Sequence, residues 1–286
     1  MLAERRSVSR VKRPDAPALQ LLGVSKRFRG GGWLRRRDDI DAVIDVSLEV
    51  RPGEVLGLIG QSGSGKTTTG RIAVRLIEPN AGRVIIQGQD VSRLRGSALR
   101  KARRQFQMVF QDPYQSLNPL RRVATLLEEP LRIHLPALSS EERTNRVEEM
   151  IERVGLSPVS TFLRRYPHEL SGGQRQRVAI GRAVIVKPDL LVADEPVSML
   201  DVSVRTGILN LLLDLREAMG MAQLFITHDL AVAKHLCDRV AVLHRGRIVE
   251  EGPAAQVLSS PTHSYTRELL AAVPENRLHQ MEGPTS

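Results

Sequence analysis

An apolar run over residues 54–59 leads straight into Gly60-Gln61-Ser62-Gly63-Ser64-Gly65-Lys66-Thr67, and a helical pattern covers residues 66–77 until Pro79-Asn80-Ala81-Gly82 stops it. Strand, glycine-rich loop and helix in that order leave the chain little local choice. Successive backbone N–H groups, those of Ser62 to Thr67, converge at a helix N-terminus, where they bind phosphate oxygens. Lys66 adds a point charge for β- and γ-phosphates, and the hydroxyl of Thr67, with Thr68 beside it, suits a magnesium ion. The G-x-x-x-x-G-K-[ST] pattern alone arises by chance in about one chain in a hundred of this length. Its setting between a strand and a helix argues against a solvated Gly/Ser linker.

Further along, Leu190-Leu191-Val192-Ala193-Asp194-Glu195 is an apolar strand ending in two acids. Adjacent carboxylates at the end of a buried strand are costly unless a cation or a proton transfer needs them. Asp194 is therefore expected to hold magnesium, and Glu195 to act as general base on an attacking water. A strand over 223–227 runs into His228 and Asp229, and Asp229 reads as the cap of a helix from Leu230. Further strands are expected over 18–24, 42–50, 83–87 and 105–111 and near 239–243 and 247–250, with a helix over 202–219 and a short one over 265–272. Alternating strands and helices imply an α/β fold with a largely parallel, helix-covered sheet. From residue 113 to about 168 the pattern is helical and charged, best over 141–154, which reads as an insertion into that core.

Residues 170–174 read Leu170-Ser171-Gly172-Gly173-Gln174. That pentapeptide is rarer still, at about a few in ten thousand chains. With the phosphate loop, the acid pair and the strand-end histidine in this order, the set resembles the ATP-binding-cassette (ABC) ATPases over nearly the whole chain. The resemblance implies a P-loop NTPase core of the RecA-like kind with an antiparallel β subdomain, an inserted helical subdomain and a short C-terminal extension. The corresponding boundaries are a basic arm over 1–16, an ATPase domain over 17–255 with its helical subdomain at about 113–170, and the extension over 256–286. ATP and Mg²⁺ are the implied ligands, and ATP hydrolysis the implied reaction.

By the same resemblance His228 is a switch histidine at the γ-phosphate. Gln111 senses both the γ-phosphate and the magnesium held by Thr67 and Asp194, and couples them to movement of the helical insert. Phe28 matches an adenine-stacking aromatic, with Trp33 as the alternative. The signature is too far along the chain to be read as completing the pocket of its own loop. In the family two cassettes associate head to tail, so that Ser171 and Gly173, flanked by Gly172 and Gln174, meet the γ-phosphate on the partner's loop. Ser198-Met199-Leu200-Asp201 matches the segment crossing that interface, with Met199 where alanine is usual.

Three stretches narrow the resemblance. Gln111-Asp112-Pro113-Tyr114-Gln115-Ser116-Leu117-Asn118-Pro119 resembles the Q-D-P-x-x-S-L-N-P run of oligopeptide and dipeptide importer ATPases. Ser260-Pro261-Thr262-His263-Ser264-Tyr265-Thr266-Arg267, continuing to Val273-Pro274, resembles that group's C-terminal extension, with Ser264 replacing its usual proline. The insertion between Phe28 and Ala42 is also typical, and Tyr114 with Gly70-Arg71 fits the second, F-type ATPase subunit. The implied partners are a second ABC ATPase subunit (a heterodimer before a homodimer), two permease subunits and, through the complex, an extracytoplasmic solute-binding protein. Peptides lead the implied cargo, ahead of nickel chelates, opines, glutathione and sugars. The implied place is peripheral, on the cytoplasmic face of the inner membrane. The alternative is a mechanical ABC ATPase acting on nucleic acid or ribosomes. A second cassette, long coiled-coil arms or zinc cysteines would mark it, and none is seen.

A chain of 286 residues suits one large α/β domain plus appendages. No run approaches the roughly 18 uninterrupted apolar residues of a membrane span, so a transport pore is expected on another chain. No signal-like apolar run opens the sequence, which makes the cytoplasm the default. The one cysteine, Cys237, excludes an internal disulfide and reads as a small buried residue. The net charge of +10 is local: residues 1–37 carry eleven Lys/Arg against Glu4 and Asp15, leaving the rest at +1. That end reads as a solvated arm, with attraction to anionic lipid as the sharper alternative. With three Tyr and one Trp in the whole chain, no stacking aromatics interleave with the basic run, so no nucleic acid partner is expected.

Overall fold

The computed structural model describes residues 16–29 and 39–272; the basic arm through residue 15, Trp33 with the glycine and arginine runs around it, and Val273-Pro274 lie outside these. In chain order the strands are β1 (Leu19–Phe28), β2 (Ile40–Val50), β3 (Val55–Ile59), β4 (Ala81–Ile86), β5 (Gln89–Asp90), β6 (Phe106–Val109), β7 (Leu190–Asp194), β8 (Ala222–Thr227), β9 (Arg239–His244) and β10 (Arg247–Pro253). The central sheet has the order β10-β9-β3-β8-β7-β6, parallel except for the β9–β10 hairpin. A smaller antiparallel sheet, β2-β1-β4-β5, packs beside it.

The central strands read as unbroken apolar runs because both of their faces are buried. Val55 and Ile59 of β3 join one hydrophobic cluster, and Leu56 and Leu58 join the other. In β7, Leu191 and Ala193 face the first cluster while Leu190 and Val192 face the second. The first face is covered by helices, chiefly α4 (Val123–His134), α5 (Ser140–Arg153), α7 (Gly172–Val184), α8 (Val202–Met219) and α9 (Leu230–Leu236). The second is covered by α1 (Lys66–Ala73) and the antiparallel sheet, through Ile72, Leu19, Leu21, Val43 and Val46. Truncating a fully buried residue such as Leu58 to alanine would cost about 2–5 kcal/mol.

Strand register positions the site. Val109 pairs with Ala193, Asp194 with Ile226, and Ile59 with Thr227, so four strands end level with one another. The residues that follow those ends include Gly60, Gln111, Glu195 and His228. In open α/β sheets the crevice beyond the carboxyl ends of the strands is where ligands bind.

Several elements differ from their sequence expectation. β1 continues to Phe28; Gly23, at φ 59°, and register shifts between Leu21 and Val24 and again toward Arg27 break its alternation. The helix expected over 66–77 ends at Ala73, because Arg75 takes φ 52° and its buried guanidinium donates from Nε to the Val91 carbonyl at 3.0 Å. Sequence reading missed α2 (Gly96–Ala102), which buries only Ala102, and α10 (Ala254–Ser259), which runs across the boundary placed at 255. Between β6 and α7 the regular structure is helical: α3 (Pro113–Ser116), α4, α5, α6 (Val159–Arg164) and a 3-10 turn at Pro167–Glu169. The last described helix is α11 (Ser264–Ala271).

Candidate active site

The phosphate loop is fixed by contacts that only glycine permits. Gly60 sits at φ 152°, and a Cβ there would lie 2.3 Å from the Leu243 carbonyl oxygen. Gly65 sits at φ 106°, and its Cβ would lie 2.2 Å from the Ala42 carbonyl oxygen. The two-residue turn Arg245-Gly246, at φ 46° and 79°, closes the β9–β10 hairpin against the loop. Gly246 donates its N–H to the Ser64 carbonyl at 2.9 Å and accepts from the Ile44 N–H at 2.7 Å. Lys66, itself buried, donates from Nζ to the carbonyls of Gly60 and Gln61 at 2.7 and 2.8 Å. Burial holds its ammonium below the usual lysine range, while Glu195 and Asp194 push the other way. The Ser64 hydroxyl is buried beside Gly60 without a hydrogen-bond partner among the described residues, and Ser64 does not line the cleft.

The acid pair meets this loop from β7. Thr67 Oγ1 donates to Asp194 Oδ1 at 3.0 Å. Burial raises the Asp194 carboxyl above its usual range, helped by the charge of Glu195 and opposed by the Thr67 bond, Arg71 and Lys66. A divalent cation would offset that desolvation. No group of three or more His, Cys, Asp and Glu among the described residues could hold a metal. One carboxylate, one hydroxyl and substrate phosphates suit magnesium, which is seldom caged by protein alone.

Glu195 stands at φ 45°, its N–H bonded to the Ile226 carbonyl at 2.9 Å. Gln111 Nε2 donates to its Oε2 at 3.1 Å, and His228 Nδ1 lies 3.0 Å from its Oε1. With the proton on Nδ1, the imidazole donates to the carboxylate and leaves Nε2 as an acceptor. Two residues, Gln111 and His228, thus share the carboxylate of a third, and the three come from three strand ends. They line a cleft of about 690 Å³ together with Gln61, Lys66 and Thr67, within the range of small-molecule sites. The cleft's other walls hold Ile40, Asp41 and Ala42 of β2, Arg245 of the hairpin turn and Leu269 of α11, none of which sequence reading singled out. Phe28 is absent from the wall. It is half-exposed beside the cleft and pairs across the strands with Ile40.

The signature segment lies elsewhere. Ser171 caps α7: its hydroxyl accepts from the Gln174 N–H at 3.3 Å, and Gln174 Oε1 accepts from the Ser171 N–H at 3.0 Å. Gly173 is required by packing, since a Cβ there would lie 2.5 Å from Val204 Cγ1 of α8. None of Leu170 to Gln174 lines the cleft. Asp201 precedes α8 without capping it through its side chain, and Met199 nearby is 64% exposed. Asp229 does cap its helix, accepting from the N–H groups of Ala231 and Val232 at 3.0 and 3.2 Å. Cys237 is buried against Gly57, and burial pushes its thiol up to about 12.

Beyond Gln111, the side chains of Asp112 and Asn118 accept from the N–H groups of Tyr114 and Leu120, shaping two tight turns. The Tyr114 ring is exposed, with the Arg175 guanidinium 4.0 Å from its centroid, and Leu120 is exposed too.

Known proteins share this chain's sequence and fold. The ABC transporter family model matches residues 43–198. The glutathione import ATP-binding protein GsiA of Salmonella typhimurium strain LT2 is 49% identical over 260 residues, covering 90% of this chain and 41% of that one. The oligopeptide transport ATP-binding protein AppF of Bacillus subtilis strain 168 is 45% identical over 262 residues, covering 91% and 79%. A dimeric structure of the ATP-binding cassette MJ0796 in a post-hydrolysis state with ADP and phosphate matches with a TM-score of 0.73 at 34% identity, covering 82% of this chain and 98% of that one. This chain belongs to the ABC transporter family, as an ATP-binding cassette. It spans about two-fifths of the length of GsiA.

Proposed function

We propose that this chain hydrolyses ATP to power an importer for short peptides or glutathione, itself a tripeptide, through permease subunits on other chains. The observation that carries the reading is the Glu195 carboxylate, held between Gln111 and His228 at the mouth of the phosphate loop. The loop N–H groups of Ser62 to Thr67 and the Lys66 ammonium bind the β- and γ-phosphates and take up charge as the γ-phosphoryl group transfers. Glu195 orients a water in line with the γ-phosphorus and accepts its proton; phosphate and ADP leave. Its oxygens retain lone pairs for that water beside the Gln111 and His228 contacts. Thr67 and Asp194, with Gln111 nearby, would hold magnesium, which neutralises the phosphates when bound.

The names of both relatives, oligopeptide transport and glutathione import, support a peptide-class cargo. The ATPase unit takes in residues 17–255 and the helical subdomain about 113–170, with an appended segment from 256. Among the described residues no helix is long and apolar enough to cross a membrane, which supports peripheral attachment to permeases. A second cassette completes the site by placing its own Ser171 or equivalent on the γ-phosphate. Co-expression with the neighbouring permeases, a binding protein and a second ATPase in proteoliposomes tests the reading. ATP-driven uptake of labelled glutathione or a tripeptide, abolished by Lys66→Ala, is expected. Phosphate release without uptake of either would move the cargo to another solute class.

A further inference from the structure

One contact to the phosphate loop belongs to no part of the ATPase motifs. The Gln61 N–H donates to the Tyr265 hydroxyl at 3.1 Å, across 204 residues of sequence. Tyr265 lies in α11 and is only 6% exposed. Its ring packs on His244, centroids 3.7 Å apart and planes tilted by 43°. His244 ends β9, and the hairpin turn just after it is the one that holds the Ser64 carbonyl. Tyr265 is therefore wedged between the start of the loop and the strand whose hairpin turn supports it.

The segment leading into α11 is anchored at its start. The Glu250 carboxylate on β10 accepts from the Thr262 N–H at 2.7 Å, the Thr262 hydroxyl at 2.9 Å and the His263 N–H at 3.2 Å. His263 Nδ1 then accepts from the Tyr265 N–H at 3.1 Å and caps the helix. One turn on, Leu269 shares the face of Tyr265 and lines the nucleotide cleft, as does Ala272. The appended segment is thus tied to β10 at one end and lies along the cleft at the other.

We propose that Tyr265 is a positioning residue for ATP binding: its hydroxyl props the entrance of the phosphate loop and links nucleotide affinity to the placement of the appended segment. The inference rests on the reading of the cleft as an ATP site. Gln61 opens the loop, and its N–H lies outside the set, Ser62 to Thr67, that converges on phosphate. Fixing it leaves those donors free while setting the direction from which the loop leaves β3. The hydroxyl reaches no reacting atom, so its loss acts on the affinity for ATP and ADP and spares the chemical step.

Tyr265→Phe in the full chain removes the oxygen and keeps the ring on His244. Affinity for a fluorescent ATP analogue, and for ADP by competition, is expected to fall about 3- to 10-fold, the span of one lost hydrogen bond. In the assembled transporter KM for ATP should rise by the same factor, with kcat within about twofold and the melting temperature preserved. Amide exchange at Gln61 should quicken. Glu250→Gln, which loosens the anchor outside the cleft, should shift affinity the same way by less. Unchanged nucleotide affinity and unchanged Gln61 exchange in Tyr265→Phe would reduce Tyr265 to core packing and overturn the proposal. A wild-type chain that bound no ATP would sink the proposed function instead, and the Gln61 exchange rate would still decide the Tyr265 contact.

Discussion

The phosphate loop and the signature segment are both glycine-rich turns opening a helix, yet they are built for opposite surroundings. In the loop, glycine is forced by backbone carbonyls at Gly60 and Gly65, Lys66 bonds back to the loop's own carbonyls, and Thr67 reaches Asp194 of β7. In the signature, glycine is forced by a side chain of the next helix, Val204, and the polar groups of Ser171 and Gln174 satisfy each other at an exposed helix end. One helix opening is closed onto its own chain, and the other is exposed. A helix N-terminus with free N–H groups suits an anion in either setting. On the proposed reading, each chain carries the two halves of a site on separate surfaces, which a second cassette would bring together.

The largest effect is expected at the base. Glu195→Gln should retain ATP binding and lower phosphate release by about 10²- to 10⁴-fold, the range for losing general-base help. Undiminished turnover would transfer the role to another residue, His228 first. Next in size is Ser171→Arg, which puts bulk and charge where the partner's γ-phosphate is expected. The lone chain should bind ATP normally, while ATP-induced dimerisation, followed by light scattering, should weaken at least about tenfold. Ser171→Ala serves as control for the lost cap, about 1 kcal/mol. If Ser171→Arg lost nucleotide affinity as Lys66→Ala does, the signature would belong to its own chain's pocket.

A smaller effect is expected at the exposed turn beyond Gln111. Tyr114→Ala or Asn118→Ala should lower uptake by roughly three- to tenfold in proteoliposomes and basal hydrolysis by less than about twofold, since neither lines the cleft. Equal losses in both would place these residues in the chemistry. The smallest effect is thermal. Folding raises the Asp194 carboxyl above its ordinary range, so its contribution to stability is fully present below its unfolded-state value, near 4, and is lost as pH rises through the raised value. Asp194→Asn keeps an acceptor for Thr67 and removes that loss. The ligand-free variant should melt higher than the wild-type chain at pH 7, a gain that fades toward pH 4. A lower melting point at pH 7 would mean that the carboxylate stabilises the loop.

How much of this was legible in the sequence follows from range. The strand ends bearing Asp194, Glu195 and His228, and the loop that carries β3 into α1 at Lys66, are local signals, each an apolar run broken by chemistry-bearing residues, and parallel register brings the strand ends level. The helix over Val202–Met219 was legible to the residue, because an apolar stripe fills it and Gly220, at φ 59°, ends it. What escaped is carried through space. Arg75 ends α1 by reaching a carbonyl sixteen residues away. Ile40, Asp41 and Leu269 line the cleft only because distant strands and α11 converge on it. Phe28 is paired across the strands with Ile40, which lines the cleft, so its exposed ring stands next to that wall.

The Arg245-Gly246 turn has a bearing on how the molecule can be altered. Two-residue hairpin turns are ordinarily permissive places, where tags, fluorophores or whole domains are spliced in with little penalty. Here the turn's main chain touches both Ser64 and Ile44, joining the small sheet, the central sheet and the phosphate loop at one point. It behaves as a keystone: lengthening it by even a single residue would unseat three layers at once, so a scan of insertions along the surface should find intolerance at this hairpin.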